Sequence, residues 1–337
     1  MIKRLATMGV VACLAGPVHA CELARPVVFA GLDWDSVGFH NAVARFVVEH
    51  GYGCRTDVIP GSTIPLIQGV AQGDIDVAME IWKDAVTDAW QRALARGQVV
   101  ELGVNFPDAV QGWVVPRAVI DGDPARGRAP AAPDLKSVAD LARYAHVFAD
   151  PEEPGKGRFY NCVAGWACEG INTHKLRAYG LSDRFTNFRT GSGAALAAAI
   201  SGAVRRGEPI VAYYWSPTWV MGAHDLVMLA EPPWNAADWQ GIAASADYPR
   251  PVAYPKVEVW IGANAAFAKS APALTAFLKN YRTTAAQVSA ALAFMHDTGT
   301  DETAAARRFL TETVDTWPQW LPSDAAAKVK AALAAPN

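Results

Sequence analysis

The chain has 337 residues, 51% hydrophobic and 19% charged, a length and composition that allow two cores and exclude a disordered polymer. Its 30 basic and 33 acidic side chains, a formal charge of −3, exclude a surface that gathers nucleic acid or anionic lipid.

At the start of the chain Lys3 and Arg4 precede the apolar run Leu5–Leu14, and Val18-His19-Ala20 offers small residues to a signal peptidase. This predicts an export segment, residues 1–20, cleaved after Ala20. The run is far short of the ~20 apolar residues of a membrane span. Cys21 directly after the cut also fits a lipidated cysteine, although His19 suits that processing poorly. With the segment go two positive charges and Cys13, leaving Cys21, Cys54, Cys162 and Cys168. An even number in an exported chain predicts two disulfides. Proximity favours Cys162–Cys168, and Cys21–Cys54 is the remainder, each of these two cysteines standing ahead of a predicted strand. Lipidation of Cys21 would leave Cys54 unpaired.

Val27–Gly31 reads as a buried strand ending in glycine, and Val37–His50 as a helix with Phe39, Ala42, Val43, Phe46 and Val47 at helical spacing, closed by Gly51. Arg55–Ile59 is a second strand, Thr63–Gln72 a second helix, and Asp74–Glu80 a third strand that delivers Trp82. This strand and helix alternation predicts a parallel sheet with helices on both faces. Ligands of such sheets bind at the carboxyl ends of the strands, where Asp33, Trp34, Asp35 and Trp82 fall. A tryptophan there also serves simply to cap a sheet edge.

Val110–Pro116, with Trp113, reads as a further strand, and the Pro- and Arg-rich stretch Pro116–Pro133 as a loop at or soon after a crossover between lobes. A second pattern follows: Ser137–Ala145 helical, His146–Ala149 extended, Glu169–Tyr179 helical, then an alanine-rich helix to Arg206 opened by Gly191-Ser192-Gly193. Those glycines lack the third glycine and the preceding strand of a nucleotide fingerprint, so Ser192 is read as an N-cap. Ile210–Tyr214 is a strand that delivers Trp215, repeating the order seen at Trp82. Pro232–Pro255 is irregular. Val257–Ala263 is a strand, and helices are predicted over Pro272–Asn280, Thr283–His296, Thr303–Thr313 and Ala325–Leu333.

The stretch Arg158–Asn172 stands apart. Cys162 and Cys168 bracket a short loop that presents Trp166 and runs into a helix start, which suits a rigid aromatic face beside an anion-binding helix end. A stapled surface loop with a structural tryptophan has the same sequence. Enzymatic chemistry finds little support: the histidines have no metal-ligand spacing, and no nucleophile elbow or phosphate loop is present. A periplasmic enzyme acting on a small cationic substrate is the competing reading. No metal or cofactor is called for. What the chain has in abundance is tryptophan, 12 residues. Several ring faces around a pocket attract a quaternary ammonium, which cannot donate hydrogen bonds.

These features resemble the periplasmic substrate-binding proteins of osmoprotectant ABC importers, the glycine betaine, proline betaine and choline binders. The resemblance rests on Asn161–Gly170 around the two cysteines, on Tyr213–Trp219, and on Gly73-Asp74-Ile75-Asp76 leading to Trp82. It implies an α/β, two-lobed type II binding-protein fold. Residues 21–115 and 254–337 would form the first lobe, and 116–253 an inserted second lobe, closing on the ligand by hinge motion. It further implies a monomer that captures a quaternary amine and hands it to an ABC permease. Trp82, Trp166 and Trp215 match cage tryptophans, Trp34 and Trp113 match aromatic positions of choline binders, and the amides of Ala167 and Cys168 match donors to a betaine carboxylate. Val86 stands where the glycine betaine branch has a carboxylate-binding histidine. The resemblance implies a ligand of the glycine betaine/proline betaine class, with choline or trimethylamine N-oxide as the alternative, to which the departure at Val86, Trp34 and the acids Asp33, Asp35, Glu80 and Glu169 point.

Overall fold

The computed structural model describes residues 21–83 and 87–335; the expected export segment with Cys13, and Val86, lie outside the described residues. Strand β1 (Val27–Leu32) leads into α1 (Asp35–Tyr52), β2 (Thr56–Gly61), α2 (Thr63–Gln72), β3 (Val77–Ile81) and α3 (Thr87–Ala95). Both β2 and β3 pair with β1 in parallel, as the alternation predicts. Helix α1 runs past Gly51 and ends at Gly53, which takes the left-handed conformation with φ 68°. Gly51 serves packing instead: a Cβ there would meet Val329 at 3.2 Å. Strand β3 starts three residues later than the sequence suggests because Asp76 is committed elsewhere. Its carboxylate receives both Arg25 guanidinium nitrogens at 2.6 and 2.7 Å and the Val28 N–H at 2.9 Å.

Strand β4 (Val99–Pro116) is much longer than Val110–Pro116. Its first part pairs with the strand Val257–Asn264 through three register shifts, and its last part with Val211–Ser216. Gly103, Pro107 and those bulges erase the alternation that would have marked the strand. After β4 come α4 (Arg117–Asp121), β5 (Gly157–Asn161), α5 (Ala167–Ala178), β6 (Phe185–Arg189), α6 (Gly193–Arg206), β7 (Val211–Ser216), α7 (Trp219–Ala223), β8 (Leu226–Met228) and α8 (Ala236–Ala244). The capping box of Ser137 and Asp140 opens a 3-10 helix, Val138–Arg143, and His146–Phe148 forms turns rather than a strand. Pro232–Pro255 is less irregular than expected, since Asn235 accepts the Asp238 N–H and starts α8. Ser192 caps α6 by accepting the Ala195 N–H at 3.1 Å. The chain ends with β9 (Val257–Asn264), α9 (Ala265–Ser270), α10 (Pro272–Asn280), α11 (Ala285–Thr298), α12 (Glu302–Glu312) and α13 (Ser323–Ala334).

The strands run in the order β2-β1-β3-β9-β4-β7-β5-β6, with β8 also on β4. Two hydrophobic cores lie along this array. One collects residues from Val27 to Ala109 and from Val257 to Val329, the other residues from Trp113 to Tyr254. Trp34, Trp82 and Trp219 pack against both. Cys21 is bonded to Cys54 and Cys162 to Cys168, the pairing read from the sequence.

Candidate functional site

The cleft between the two cores is built by strand ends. Trp34 follows β1 as the residue before α1, Trp82 follows β3, Trp166 stands immediately before α5, and Trp215 lies near the end of β7. Together with Thr63, Ile67, Glu80, Ile81, Gln111, Ala167, Cys168 and Tyr213 they line a cavity of about 50 Å³. A single water needs only roughly 15 Å³.

The rings meet edge to face. Trp166 stands at 77° to Trp34 with centroids 5.5 Å apart, and at 80° to Trp215 at 5.3 Å. Tyr213 lies nearly parallel to Trp215 at 6.2 Å. Perpendicular rings make the walls of a box, each face presenting the negative side of an aromatic quadrupole. Three of the indole N–H groups are spent on carboxylates: Trp34 and Trp82 both donate to Glu80 Oε2, at 2.9 and 3.0 Å, and Trp166 donates to Asp33 Oδ1 at 2.5 Å. The last bond joins the two cores. It is supported by the Ile64 N–H, 3.4 Å from the Gly165 carbonyl, and Gly165 is required there. Its φ is 91°, and a Cβ would meet Ser62 Oγ at 2.6 Å.

Glu80 is fully buried, and burial pushes its pKa up, while hydrogen bonds from Ser36, Trp34 and Trp82 pull it back. Across the cavity, the backbone amides of Ala167 and Cys168 open α5, and neither donates to a protein acceptor among the described residues. No Lys, Arg or His side chain lines the cavity among the described residues. The same residues include no His, Cys, Asp and Glu group that could hold a metal.

Trp34, Glu80, Trp82, Trp166, Ala167, Cys168 and Trp215 are thus brought together. Trp113 and Asp35 are not. Trp113 shares a face of β4 with Gln111 but lies two residues farther from the cleft, under α5. There it is fully buried, tilted over Phe159 at 4.0 Å and bonded to Asn172 Oδ1 at 2.8 Å. Asp35 opens α1 behind Trp215, beside Tyr214, Thr218 and Leu292; burial raises its pKa and the Trp219 indole opposes the shift. Sequence reasoning missed Thr63, Ile67, Ile81, Gln111 and Tyr213. Alternation along β7 puts Tyr213 on the face of Trp215, a usable signal. Gln111 needed the register, which sets it opposite Trp215 and lets it accept the Tyr213 hydroxyl at 2.5 Å.

A family described as the substrate-binding domain of ABC-type glycine betaine transport systems matches residues 25–312. The chain belongs to this family. Among the curated relatives of this glycine betaine-type binding domain is the trimethylamine N-oxide-binding protein of Pelagibacter ubique, 24% identical over 307 residues, 91% of this chain and 94% of that one. The glycine betaine/proline betaine-binding periplasmic protein of Escherichia coli is 26% identical over 68% of this chain and 67% of its own. Among solved structures, an ABC-transporter choline-binding protein in complex with choline superposes with a TM-score of 0.71 at 18% identity, over 91% of this chain and 98% of that one. The glycine betaine, L-proline-binding protein of Borrelia burgdorferi gives 0.70 at 16% identity, over 90% of this chain and 100% of that one. The binding domain therefore has the two-lobed type II periplasmic binding-protein fold. Its relatives are binding proteins of ABC importers.

Proposed function

We propose that this protein captures a small methylated amine, choline or trimethylamine N-oxide rather than glycine betaine, and delivers it to an ABC permease without transforming it. The observation that carries the reading is a box of four indoles with one buried carboxylate, Glu80, and no cationic side chain along the described lining. Each desolvated ring contributes about 0.5–2 kcal/mol to a trimethylammonium head. The carboxylate behind Trp34 and Trp82 adds its charge. A choline hydroxyl finds an acceptor in Glu80, and an N-oxide oxygen finds donors in the amides of Ala167 and Cys168. The same amides favour a second reading, glycine betaine with its carboxylate at the start of α5.

Calorimetric titration with choline, trimethylamine N-oxide and glycine betaine separates the readings. Choline or the N-oxide is expected to bind tightest, and Glu80→Gln to weaken choline by about tenfold or more. Glycine betaine binding tightest, with no effect of Glu80→Gln, would establish the second reading instead.

We further propose that the mature chain is exported, begins at Cys21 and acts as a monomer. A sulfur bonded to Cys54 has no valence for a lipid thioether, and no helix among the described residues is long and apolar enough to cross a membrane. Intact-mass analysis of the native protein is expected to show four fewer hydrogens than the reduced chain, two for each disulfide, and no diacyl adduct.

A further inference from the structure

Behind the cage, Glu80 has a histidine for company. Glu80 Oε1 and His40 Nε2 face each other at 3.9 Å, both side chains completely buried, and neither atom has a hydrogen-bond partner among the described residues. On its far side, His40 Nδ1 is 2.8 Å from the Tyr281 hydroxyl oxygen. Burial keeps this imidazole neutral, its pKa pulled down to about 3. A neutral imidazole carries one N–H, so what happens at one nitrogen dictates the other.

Two arrangements are open to it. If the Tyr281 O–H donates to Nδ1, the ring proton sits on Nε2, directed at Glu80 Oε1, and an ionised carboxylate is favoured. If Nδ1–H donates to Tyr281, Nε2 is a bare lone pair that only a protonated Glu80 satisfies. The Tyr281 hydroxyl makes no other hydrogen bond among the described residues, so donation to Nδ1 is the arrangement that uses this buried O–H and leaves the remaining donor, Nε2–H, facing the Glu80 carboxylate 3.9 Å away. We propose that His40 is a positioning residue for the cage: its Nε2–H, set by Tyr281, holds Glu80 ionised and so fixes the negative charge that the cavity presents to its ligand. The consequence for ligand choice rests on the functional reading above; the coupling between His40 and Glu80 does not.

The surroundings leave this role to His40. The other polar groups facing Glu80 are the Ser36 hydroxyl of α1, the Trp34 and Trp82 indoles and, farther off, the Tyr281 hydroxyl after α10. Phe106 of β4 stacks on the imidazole at 5.5 Å and 16°, Phe39 packs at 5.1 Å, and no charged side chain other than Glu80 faces the ring among the described residues.

The test follows the carboxyl carbon resonance of Glu80, assigned by its loss in Glu80→Gln, as ligand-free protein is titrated, and in parallel the Kd for choline over about pH 5–8. His40→Leu is expected to raise the titration midpoint by about one pH unit or more, tenfold in proton affinity. The choline Kd, flat in the parent protein, then rises as pH falls through that midpoint. His40→Gln, which restores an N–H donor, returns both readouts toward the parent. Tyr281→Phe removes one oxygen, frees the tautomer and moves the midpoint in the same direction, so it and His40→Gln decide the matter if His40→Leu fails to fold. An unchanged midpoint in the folded His40 and Tyr281 variants overturns the proposal. A shifted midpoint in a protein that binds no methylated amine upholds the coupling and removes the functional reading alone.

Discussion

Trp82 directly follows a strand and Trp113 lies within one, yet they occupy opposite situations. Trp82 borders the cavity with its N–H on Glu80, whereas Trp113 is sealed in the second core on Asn172. Trp→Ala at Trp82, Trp166 or Trp215 is therefore expected to cost at least about tenfold in ligand Kd by calorimetry, roughly 1.4 kcal/mol for one lost ring. Trp113→Phe should leave Kd within about twofold and instead lower the stability read from urea melts by about 1–2 kcal/mol, since it opens a gap in the second core and removes one of the two hydrogen bonds that Asn172 Oδ1 accepts, the Tyr254 hydroxyl supplying the other. A large change in Kd from Trp113→Phe would restore that residue to the site. His40 also carries a pH signature. Its folded pKa is depressed to about 3 from 6.5, so below 6.5 the unfolded chain takes up a proton that the folded core refuses. Stability is then complete above that pH and falls as pH drops, by about 2 kcal/mol at pH 5, the loss continuing down to about 3. Urea melts at pH 7 and 5 should show a shallower pH slope in a folded His40→Gln than in the parent.

At the scale of elements, the loop before α5 converts a local constraint into site geometry. The Cys162–Cys168 bond closes a loop of sequence separation 6, with Cα atoms 6.0 Å apart, and Trp166 sits inside it. Gly165 turns the chain, and the Trp166 N–H donates to the Val163 carbonyl at 3.1 Å. A bridge over so short a loop contributes about 2–3 kcal/mol in the chain-entropy model. The second core has other ties close by: Lys175 of α5 meets Glu231 at 2.6 Å, and the Tyr254 hydroxyl donates to Asn172 at 2.9 Å. Replacing both cysteines by serine should therefore raise the ligand Kd while leaving a cooperative melt. Unchanged affinity in that variant would remove the loop from the site.

Across the whole molecule, the contacts between the two cores extend beyond the cavity. Trp219 of α7 packs against both cores and stacks on His296 of α11 at 3.9 Å and 17°, on the side of Trp215 away from the ligand space. A ligand that closes two lobes draws on every such contact, because its apparent affinity scales with the population of the closed form. Trp219→Ala is expected to weaken binding several-fold, roughly 1 kcal/mol, without touching the cavity. Small-angle scattering of the ligand-free variant should show a larger radius of gyration than the parent. An unaltered Kd and radius would mean that closure owes nothing to this stack.

Local signals in the sequence determined the elements that obey simple periods, among them α2, α6 and α10, whose bounds need only helical spacing, a glycine or serine boundary and a first-turn proline. They also determined the strand-end tryptophans and the cysteine pairing, since a strand that ends in a ring and two cysteines six apart are local facts. Three things were decided only in three dimensions. The length of β4 came from pairing with two different strands, because bulges hide its alternation. The separation of Trp113 from the cage came from how far along β4 the cleft extends, which α5 decides by covering one position and leaving Gln111 open. The place of His40 behind Glu80 joins residues forty apart with Tyr281, and no spacing along the chain encodes a contact that a packed core makes between α1, β3 and the end of α10.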